Sequence, residues 1–477
     1  MYCQLDVLRQ CLPSSLRRTL AELPESLDET YERIIKDVKK GIQADAYRML
    51  QFLAVAVRPL YVAELAELLA FDFDAANLKG GIPILNSKWR WDDHEQAVLS
   101  TCSSLITIIP TSYSPLVQFS HFSVKEFLLS DRLATSAKDI SQYHITLEDA
   151  NTLIAKACLG VLLRDPVDES GAETAPGPLA KYAASLWVAH AKVENVASRI
   201  RDGMEYLFDP DRPYFLAWVK LHNFNDGRVV ANDLEDKTQP GAATLYHAAF
   251  LGIYEMVDHL TIKYPQYSGV ISGRLGTALH SVSRAGHIDI VHLLLKHGVD
   301  VDARGTLNMS PLQFASIHGH LDIVQCLLDH GADANFEDNL KRTPLSLAVK
   351  KDHFEIARVL LENDADVNFR DKDGLTLIHK ACASGSYNDS LVRLFLKHGA
   401  DPNARDSNGR TPLHHISLPP KYSPDRVLPL RLEIARTLLA HGADVDSEDD
   451  EGRTLLQVAL ASGQTEMAQL LSEYRST

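Results

Sequence analysis

The sequence predicts a mainly α protein: a helical first half carrying one hairpin-and-helix element, then an α-solenoid with short β-hairpins. Three observations predict it. From residue 240 onward two short phrases recur in phase about every 33 residues. Before that point apolar residues fall at helical spacing around a single β-branched hairpin. At 477 residues the chain is also too long for one core.

Composition narrows the class. The 45% apolar and 23% charged content is that of an ordinary globular protein. A formal charge of −15 argues against nucleic acid and against an anionic membrane surface. Cys3, Cys11, Cys102, Cys158, Cys326 and Cys382 lie far apart with no C-x-x-C pair, which suits reduced, mostly buried thiols. Apolar runs such as FLAVAV at 52–57 fall far short of the roughly 20 residues a membrane helix needs. With no signal-peptide pattern at the start, the expected setting is the cytoplasm, with the nucleus as alternative.

The second half is the most legible. ATLY (243–246), TALH (277–280), SPLQ (310–313), TPLS (343–346), TLIH (376–379), TPLH (411–414) and TLLQ (454–457) open seven units. Between them runs LLLKHGVDVDAR, varied as CLLDHGADANFE, VLLENDADVNFR, LFLKHGADPNAR and LLAHGADVDSE. Each unit reads as a helix opening at Thr-Pro, then a second helix closed by Gly298, Gly331, Gly399 or Gly442 in the left-handed conformation. Asp364 replaces that glycine once and tolerates the same geometry. Asp-x-x-Gly at 371–374, 406–409 and 449–452 supplies hairpin turns. Asn308 and Lys341 stand where that glycine is expected, so those two tips should be irregular. The prolines of SLPPKYSPDRVLP, about ten residues inserted in the sixth unit, predict a projecting loop. The two phrases resemble the ankyrin repeat, and over 240–477 they imply about seven repeats whose first and last are degenerate caps.

The histidines here have a structural reading. His280, His379 and His414 belong to the opening turn and should bond backbone between units. His297, His330, His398 and His441 recur because the unit recurs, and no clustered Cys/His spacing marks a metal site. No metal and no cofactor is expected.

In the first half, LPESLDETYERIIKDV opens with Ser26 and Glu29 in S-x-x-E spacing and places Leu27, Tyr31, Ile34, Ile35 and Val38 on one face. Helices follow over QADAYRMLQFLAVAV, stopped by Pro59, over VAELAELLA (62–70) and over HEQAVLSTCSSL (94–105). LITII and LVQF, joined by PTSYSP, form a hairpin leading into HFSVKEFLLSD. There Ser123 and Glu126 repeat the capping spacing, with Phe122 and Phe127 as its staple. TLEDANTLIAKACLGVLL (146–163) and LAKYAASLWVAHAKVEN (179–195) are amphipathic helices separated by the loop RDPVDESGAETAPGP.

The order LPESLDETYERI, AVRPLYVAELAELLAFD, VLSTCSSLITII, QFSHFSVKEFLLSDR resembles the segment that follows the nucleotide-binding core in fungal NACHT proteins, STAND-type switches of signalling and nonself recognition. The resemblance implies a helical tail over 1–40, a winged-helix domain over 41–135 and a helical linker over 136–238. It also implies that His121, just before the last winged-helix helix, contacts the β-phosphate of ADP when a P-loop domain is supplied. Read from the residues alone, His121 is a helix-entry histidine bonded to backbone. None of the 25 glycines is followed by lysine, so no G-x-x-x-x-G-K-[ST] cradle is present. The segment MYCQLDVLRQC reads as the tail of a longer helix, which suggests an internal methionine or a lost front end.

Catalysis is not expected. GVISG at 269–273 has its serine one position late for a nucleophile elbow. Asp209/Asp211 and Asp449/Asp450 read as solvated loop carboxylates, and His94 beside Asp92 and Asp93 as a helix start. What remains is recognition of another protein through the concave face and the hairpin tips. The candidate contacts are Arg304, Asn308, Glu337, Asn339, Arg370, Lys372, Arg405 and Ser407 at the tips, with Arg284, His318, Lys350 and Lys351 on the first helices. The expected function is a non-catalytic binding or scaffold protein related to signalling or nonself recognition. The alternative is the sensor part of a STAND NTPase whose P-loop domain lies upstream or on another chain.

Overall fold

A computed structural model describes residues 26–73, 81–86, 89–102, 104–164, 176–222, 240–272, 276–384, 389–417 and 424–475. The helix tail expected over 3–25 with Cys3 and Cys11, the loop at 165–175, and the insertion at 418–423 lie outside the described residues. Two compact units divide the chain, Met1–Lys263 and Tyr264–Thr477.

In the first unit, α1 (Leu27–Lys36) starts as its spacing predicts, with the Ser26 hydroxyl accepting the Glu29 N–H at 3.2 Å. Tyr31 and Ile35 are buried while Leu27 is exposed, so the inward face is narrower than the pattern suggests. The chain continues through α2 (Gln43–Val55), β1 (Leu60–Tyr61), α3 (Val62–Leu68), β2 (Phe71–Asp72), β3 (Ile84–Leu85) and α4 (His94–Cys102). Strands β4 (Ile106–Ile109) and β5 (Leu116–Phe119) form the expected antiparallel hairpin, with Ile106 opposite Phe119 and Ile109 opposite Leu116. Strand β1 adds to its far edge, giving the order β1-β5-β4. Two residues after Pro59 were too few to read as a strand.

Helix α5 (Phe122–Leu128) follows the hairpin and turns Val124, Phe127 and Leu128 inward. Short helices α6 (Asp131–Ala134) and α7 (Lys138–Ser141) lead to α8 (Leu147–Leu162), which packs against α9 (Ala180–Ala191). Then come α10 (Val196–Arg199), α11 (Arg201–Leu207), α12 (Tyr214–His222), α13 (Pro240–Leu251) and α14 (Tyr254–Lys263). Trp187, Phe208, Phe215 and Trp218 meet edge-on or tilted, with Trp187 and Trp218 centroids 5.7 Å apart. The Trp218 indole N–H donates to the Ala184 carbonyl at 2.9 Å, while the buried Trp187 indole N–H finds no acceptor among the described residues. Burying each of the two phenylalanines contributes roughly 1.5–3 kcal/mol.

The second unit stacks helix pairs: α15 (Ala278–Ala285) with α16 (Ile288–Lys296), α17 (Pro311–His318) with α18 (Leu321–Asp329), and α19 (Pro344–Lys350) with α20 (Phe354–Glu362). They continue as α21 (Leu377–Ser384) with α22 (Asp389–Lys397), α23 (Pro412–Ser417) with α24 (Pro424–Ala440), and α25 (Leu455–Ala461) with α26 (Thr465–Arg475). Residues 424–429, expected in a projecting loop, are instead the start of α24. Pro424 at the first helical position lacks only an N–H that would have no partner there. Pro429 removes one helical bond further in, and the helix continues across it.

The hairpin turns at 338–342, 371–375, 406–410 and 449–453 are each built on an aspartate. Asp371 Oδ1 accepts the N–H groups of Asp373 and Leu375, both at 2.9 Å, and Gly374 (φ +71°) closes the turn onto the Asp371 carbonyl. Residues 338–342 form the same turn, with Lys341 at φ +54° in the glycine's place, so that tip is regular at the cost of a strained lysine. At 305–309, Leu307 and Asn308 both take φ +59°, and Gly305 N–H still reaches the Met309 carbonyl at 2.8 Å. Asp364 takes φ +61°, as its exchange for glycine predicts.

Neighbouring units are tied by two repeated bonds. Each turn histidine accepts at Nδ1 from its own cap N–H, Thr277, Thr376 or Thr411, at 3.1–3.2 Å. Accepting at Nδ1 leaves the proton on Nε2. That N–H then donates to the next unit, onto the carbonyls of Met309 (2.9 Å), Arg410 (3.1 Å) and Arg453 (3.4 Å). At the tips' bases, the Asn368 amide donates to the Gly399 carbonyl and accepts the Asp401 N–H, both at 2.9 Å. Asn335 and Asn403 repeat this double bond onto Asp364/Asp366 and Gly442/Asp444.

Candidate binding surfaces

His121 is the first candidate, and its surroundings correct the expected cap. The N-cap of α5 is His121 itself, two residues before Ser123. Its Nδ1 accepts the Ser123 N–H at 3.3 Å and lies 2.6 Å from the Ser123 hydroxyl. Ser123 in turn is 2.8 Å from the Tyr31 hydroxyl on α1. Tyr31 donating to Ser123, and Ser123 donating to Nδ1, satisfies the chain and fixes the imidazole proton on Nε2. Phe122 does not staple the helix: it is 70% exposed and its ring lies against the His121 ring, centroids 4.3 Å apart. The histidine side chain out-competes the serine because it sits before the helix, where N-cap geometry is extended (φ −151°, ψ 148°). His121 is exposed, at the mouth of a seven-residue helix.

The tip residues bind one another. Arg304 Nη1 donates to Asn308 Oδ1 at 3.0 Å and its guanidinium lies 5.2 Å above the Phe336 ring. Asn308 Nδ2 donates to the Glu337 carbonyl at 3.1 Å, and Glu337 pairs with Lys341 at 2.5 Å. The Asn339 backbone N–H reaches the Leu307 carbonyl at 3.0 Å. Arg370 donates to the Arg405 carbonyl, Ser407 Oγ donates to the Asp373 carbonyl at 2.9 Å, and Arg405 faces Asp450 at 3.3 Å. The contacts between different tips span 29 to 45 residues of sequence, which is why spacing within one unit could not show them. Lys372 is exposed at its tip, as is the Asn339 residue.

Asp449 also departs from expectation. It is buried rather than solvated: burial works to raise its pKa, but Arg453 and two backbone N–H groups hold it at about 2. It is a turn-forming residue. Asp450 beside it is exposed.

The first-helix candidates come together. Arg284, His318, Lys350 and Lys351 stand at the C-terminal ends of α15, α17 and α19, in three successive units. The His320 Nε2–H donates to the Arg284 carbonyl at 3.0 Å, and the His318 and His320 rings stack with centroids 6.4 Å apart. The His318 pKa is lowered, first by burial and then by the charges of Arg284, His320 and Lys351, against the Phe314 carbonyl that its Nδ1–H meets at 2.9 Å. The charges acting on His318 are thus positive. Lys350 and Lys351 are exposed. Among the described residues no group of three or more His, Cys, Asp or Glu is placed to hold a metal, and no helix is long and apolar enough to cross a membrane.

Residues 31–139 match the winged-helix domain of GPI inositol-deacylase, and 245–338, 279–371 and 365–418 match ankyrin repeats. Two further ankyrin matches cover 408–450 and 431–471. The azaphilone pigments biosynthesis cluster protein L of Monascus ruber is 30% identical over 300 residues, 59% of this chain and 61% of that protein. The chain therefore spans less than two thirds of that relative's length. Alpha-latrocrustotoxin-Lt1a of Latrodectus tredecimguttatus is 31% identical over 80 residues, 17% of this chain and 6% of the toxin. Among solved structures, the ankyrin repeat domain of Bcl-3 is 26% identical (TM-score 0.42, 48% of this chain, 97% of that one). A predatory endopeptidase of Bdellovibrio bacteriovorus in complex with an immunity protein is also 26% identical (TM-score 0.35, 41% and 96%). The chain carries a winged-helix domain of the GPI inositol-deacylase type followed by ankyrin repeats.

Proposed function

We propose that this chain, a winged-helix domain joined to ankyrin repeats, is a non-catalytic scaffold that captures another protein with its repeats. The single observation supporting it is the set of cations Arg284, Lys350 and Lys351 gathered around His318 across three units of an otherwise acidic chain. Like charges gathered at one level are mutually unfavourable, and an acidic partner surface relieves them. Among the tips we keep Asn339 and Lys372 as contacts. Asn308, Arg370, Arg405 and Ser407 set the spacing between tips instead. The setting this reading assigns is cytoplasmic, in signalling or nonself recognition.

A photo-crosslinking residue at His318 in the full chain tests it. The expected result is a cross-linked partner that excess unlabelled chain displaces and that Lys350→Glu/Lys351→Glu abolishes at unchanged Tm. Equal cross-linking in the variant overturns the reading. So does loss of thermal stability, because the lysines then serve the fold.

A second reading rests on His121, exposed at a helix mouth, whose Nδ1 is engaged by Ser123 so that Nε2 carries the proton. In it the chain is the sensor part of a STAND NTPase, with the nucleotide-binding domain encoded upstream or supplied by another chain. Mapping the 5′ end of the transcript distinguishes the readings. An in-frame G-x-x-x-x-G-K-[ST] segment, with ADP retention lowered by His121→Ala, supports the second; unchanged retention removes it.

A further inference from the structure

The turn that ends α9 and the turn that opens α14 line one cleft of about 350 Å³ within the first unit. Both walls are fixed by their own backbone. After α9, Asn195 takes φ +61°, the Val196 N–H reaches the Val193 carbonyl at 3.1 Å, and the Ser198 hydroxyl donates to the Asn195 carbonyl at 2.7 Å. Before α14, Gly252 takes φ +73°, and the Gly252 and Ile253 N–H groups reach the carbonyls of Ala249 (3.1 Å) and Ala248 (3.0 Å). A cleft between two such turns is formed before any ligand arrives.

Its charges are opposite in sign and do not meet. Lys192 and Glu194 come from the first turn and Glu255 from the second. Among the described residues, none of these three side chains has an ion-pair or hydrogen-bond partner, in one another or elsewhere. Nearby cations behave differently: Arg199 pairs with Glu148 and Asp149 at 2.6 Å, and Arg201 with Glu205 at 2.9 Å. Lys192 and Glu194 are exposed and Glu255 is half-buried. The lining is completed on its apolar side by Tyr254, 44% exposed, Val193 and the buried Ile253.

From this arrangement we infer that the cleft binds a free basic amino acid. Two carboxylates and one ammonium mirror the two cations and one carboxylate of such a molecule. Its aliphatic stem has Tyr254, Val193 and Ile253 to lie against. A simple diamine leaves Lys192 unmet, and an amino acid with a neutral side chain leaves one glutamate unmet. The volume falls at the lower end of small-molecule sites, as a ligand of this size requires. The inference is independent of the partner proposed for the ankyrin repeats.

Titration calorimetry of the full chain tests it with three probes. L-lysine is compared with cadaverine, which lacks the carboxylate, and with L-norleucine, which lacks the side-chain amine. L-lysine is expected to bind in the millimolar range, about fivefold tighter than either, as roughly 1 kcal/mol for one more exposed ion pair gives. Lys192→Gln should bring L-lysine down to the level of cadaverine and leave cadaverine unweakened. Glu194→Gln/Glu255→Gln should abolish the L-lysine signal. Cadaverine binding as tightly as L-lysine overturns the inference, because an acidic chain then attracts any cation. Norleucine binding as tightly, no saturable heat with L-lysine, or binding that survives both variants overturns it as well. Circular dichroism of each variant confirms that the fold is retained.

Discussion

Asp302 accepts the backbone N–H of Asp333 with both carboxylate oxygens at 3.1 Å. It holds the position that Asn335, Asn368 and Asn403 hold in later units, but a carboxylate has no N–H to return to a neighbouring carbonyl. The tie at this junction is half made.

Replacing it completes the tie. Asp302→Asn should stabilise the repeats by about 0.5–1.5 kcal/mol, one hydrogen bond, read as a rise in Tm or in the urea midpoint. The effect should depend on pH. Burial raises the Asp302 pKa, so its ionised form is disfavoured in the folded state and wild-type stability rises as pH falls through that pKa. The gain from asparagine should therefore be largest near neutrality and shrink in acid. A gain that grows in acid contradicts the assignment.

The turn histidines shift stability the other way. Burial lowers the His280 pKa from 6.5 to about 4, against the Met309 hydrogen bond, which raises it. The unfolded imidazole takes up its proton near 6.5 and the folded one does not. Stability is full above 6.5 and is lost as pH falls from 6.5 toward 4, by about 2 kcal/mol for His280 at pH 5. His280→Gln adopts the side chain already used at Gln313 and Gln457. It should flatten the acid limb of a stability-against-pH curve. An unchanged limb would show that His280 titrates normally.

At the winged-helix entry the hydroxyl relay should be visible spectroscopically. Nitrogen-15 shifts of His121 should report the Nε2–H tautomer in the wild type. Ser123→Ala should leave a mixture, and Tyr31→Phe a smaller change, because the serine hydroxyl remains. A mixture already present in the wild type would rule out the relay.

Lys341 carries the most removable strain. A lysine at φ +54° costs roughly 1 kcal/mol relative to a residue suited to that region, while its exposed pair with Glu337 contributes a few tenths. Lys341→Gly should raise thermal stability slightly despite removing an ion pair. A fall in Tm would mean that the pair outweighs the backbone.

How much of this was legible depends on the range of the interaction. The turn histidines could be read because Thr277 and His280 lie within one helical turn, and the same spacing recurs at 376–379 and 411–414. The His121 cap was misread because two cap registers overlap there, and only the tertiary contact from Tyr31 places Ser123 in the relay. The burial of Asp449 and the lacing of the tips depend on neighbours brought near by stacking. A single-unit pattern carries no trace of those.

The turn-histidine bonds run one way along the array. The Nε2–H of His280, His379 and His414 is given to the following unit, whereas those of His320 and His353 go back to the Arg284 and Ile317 carbonyls of the preceding one. Peeling units from the C-terminal side strands the fully buried imidazole donors of His280, His379 and His414, whereas peeling from the N-terminal side strands the half-buried ones of His320 and His353, which water reaches more readily. At the corresponding position of 454–457 stands Gln457, exposed, whose amide can turn to solvent. The solenoid is therefore a mechanically polar object, and force applied at its two ends should meet unequal resistance.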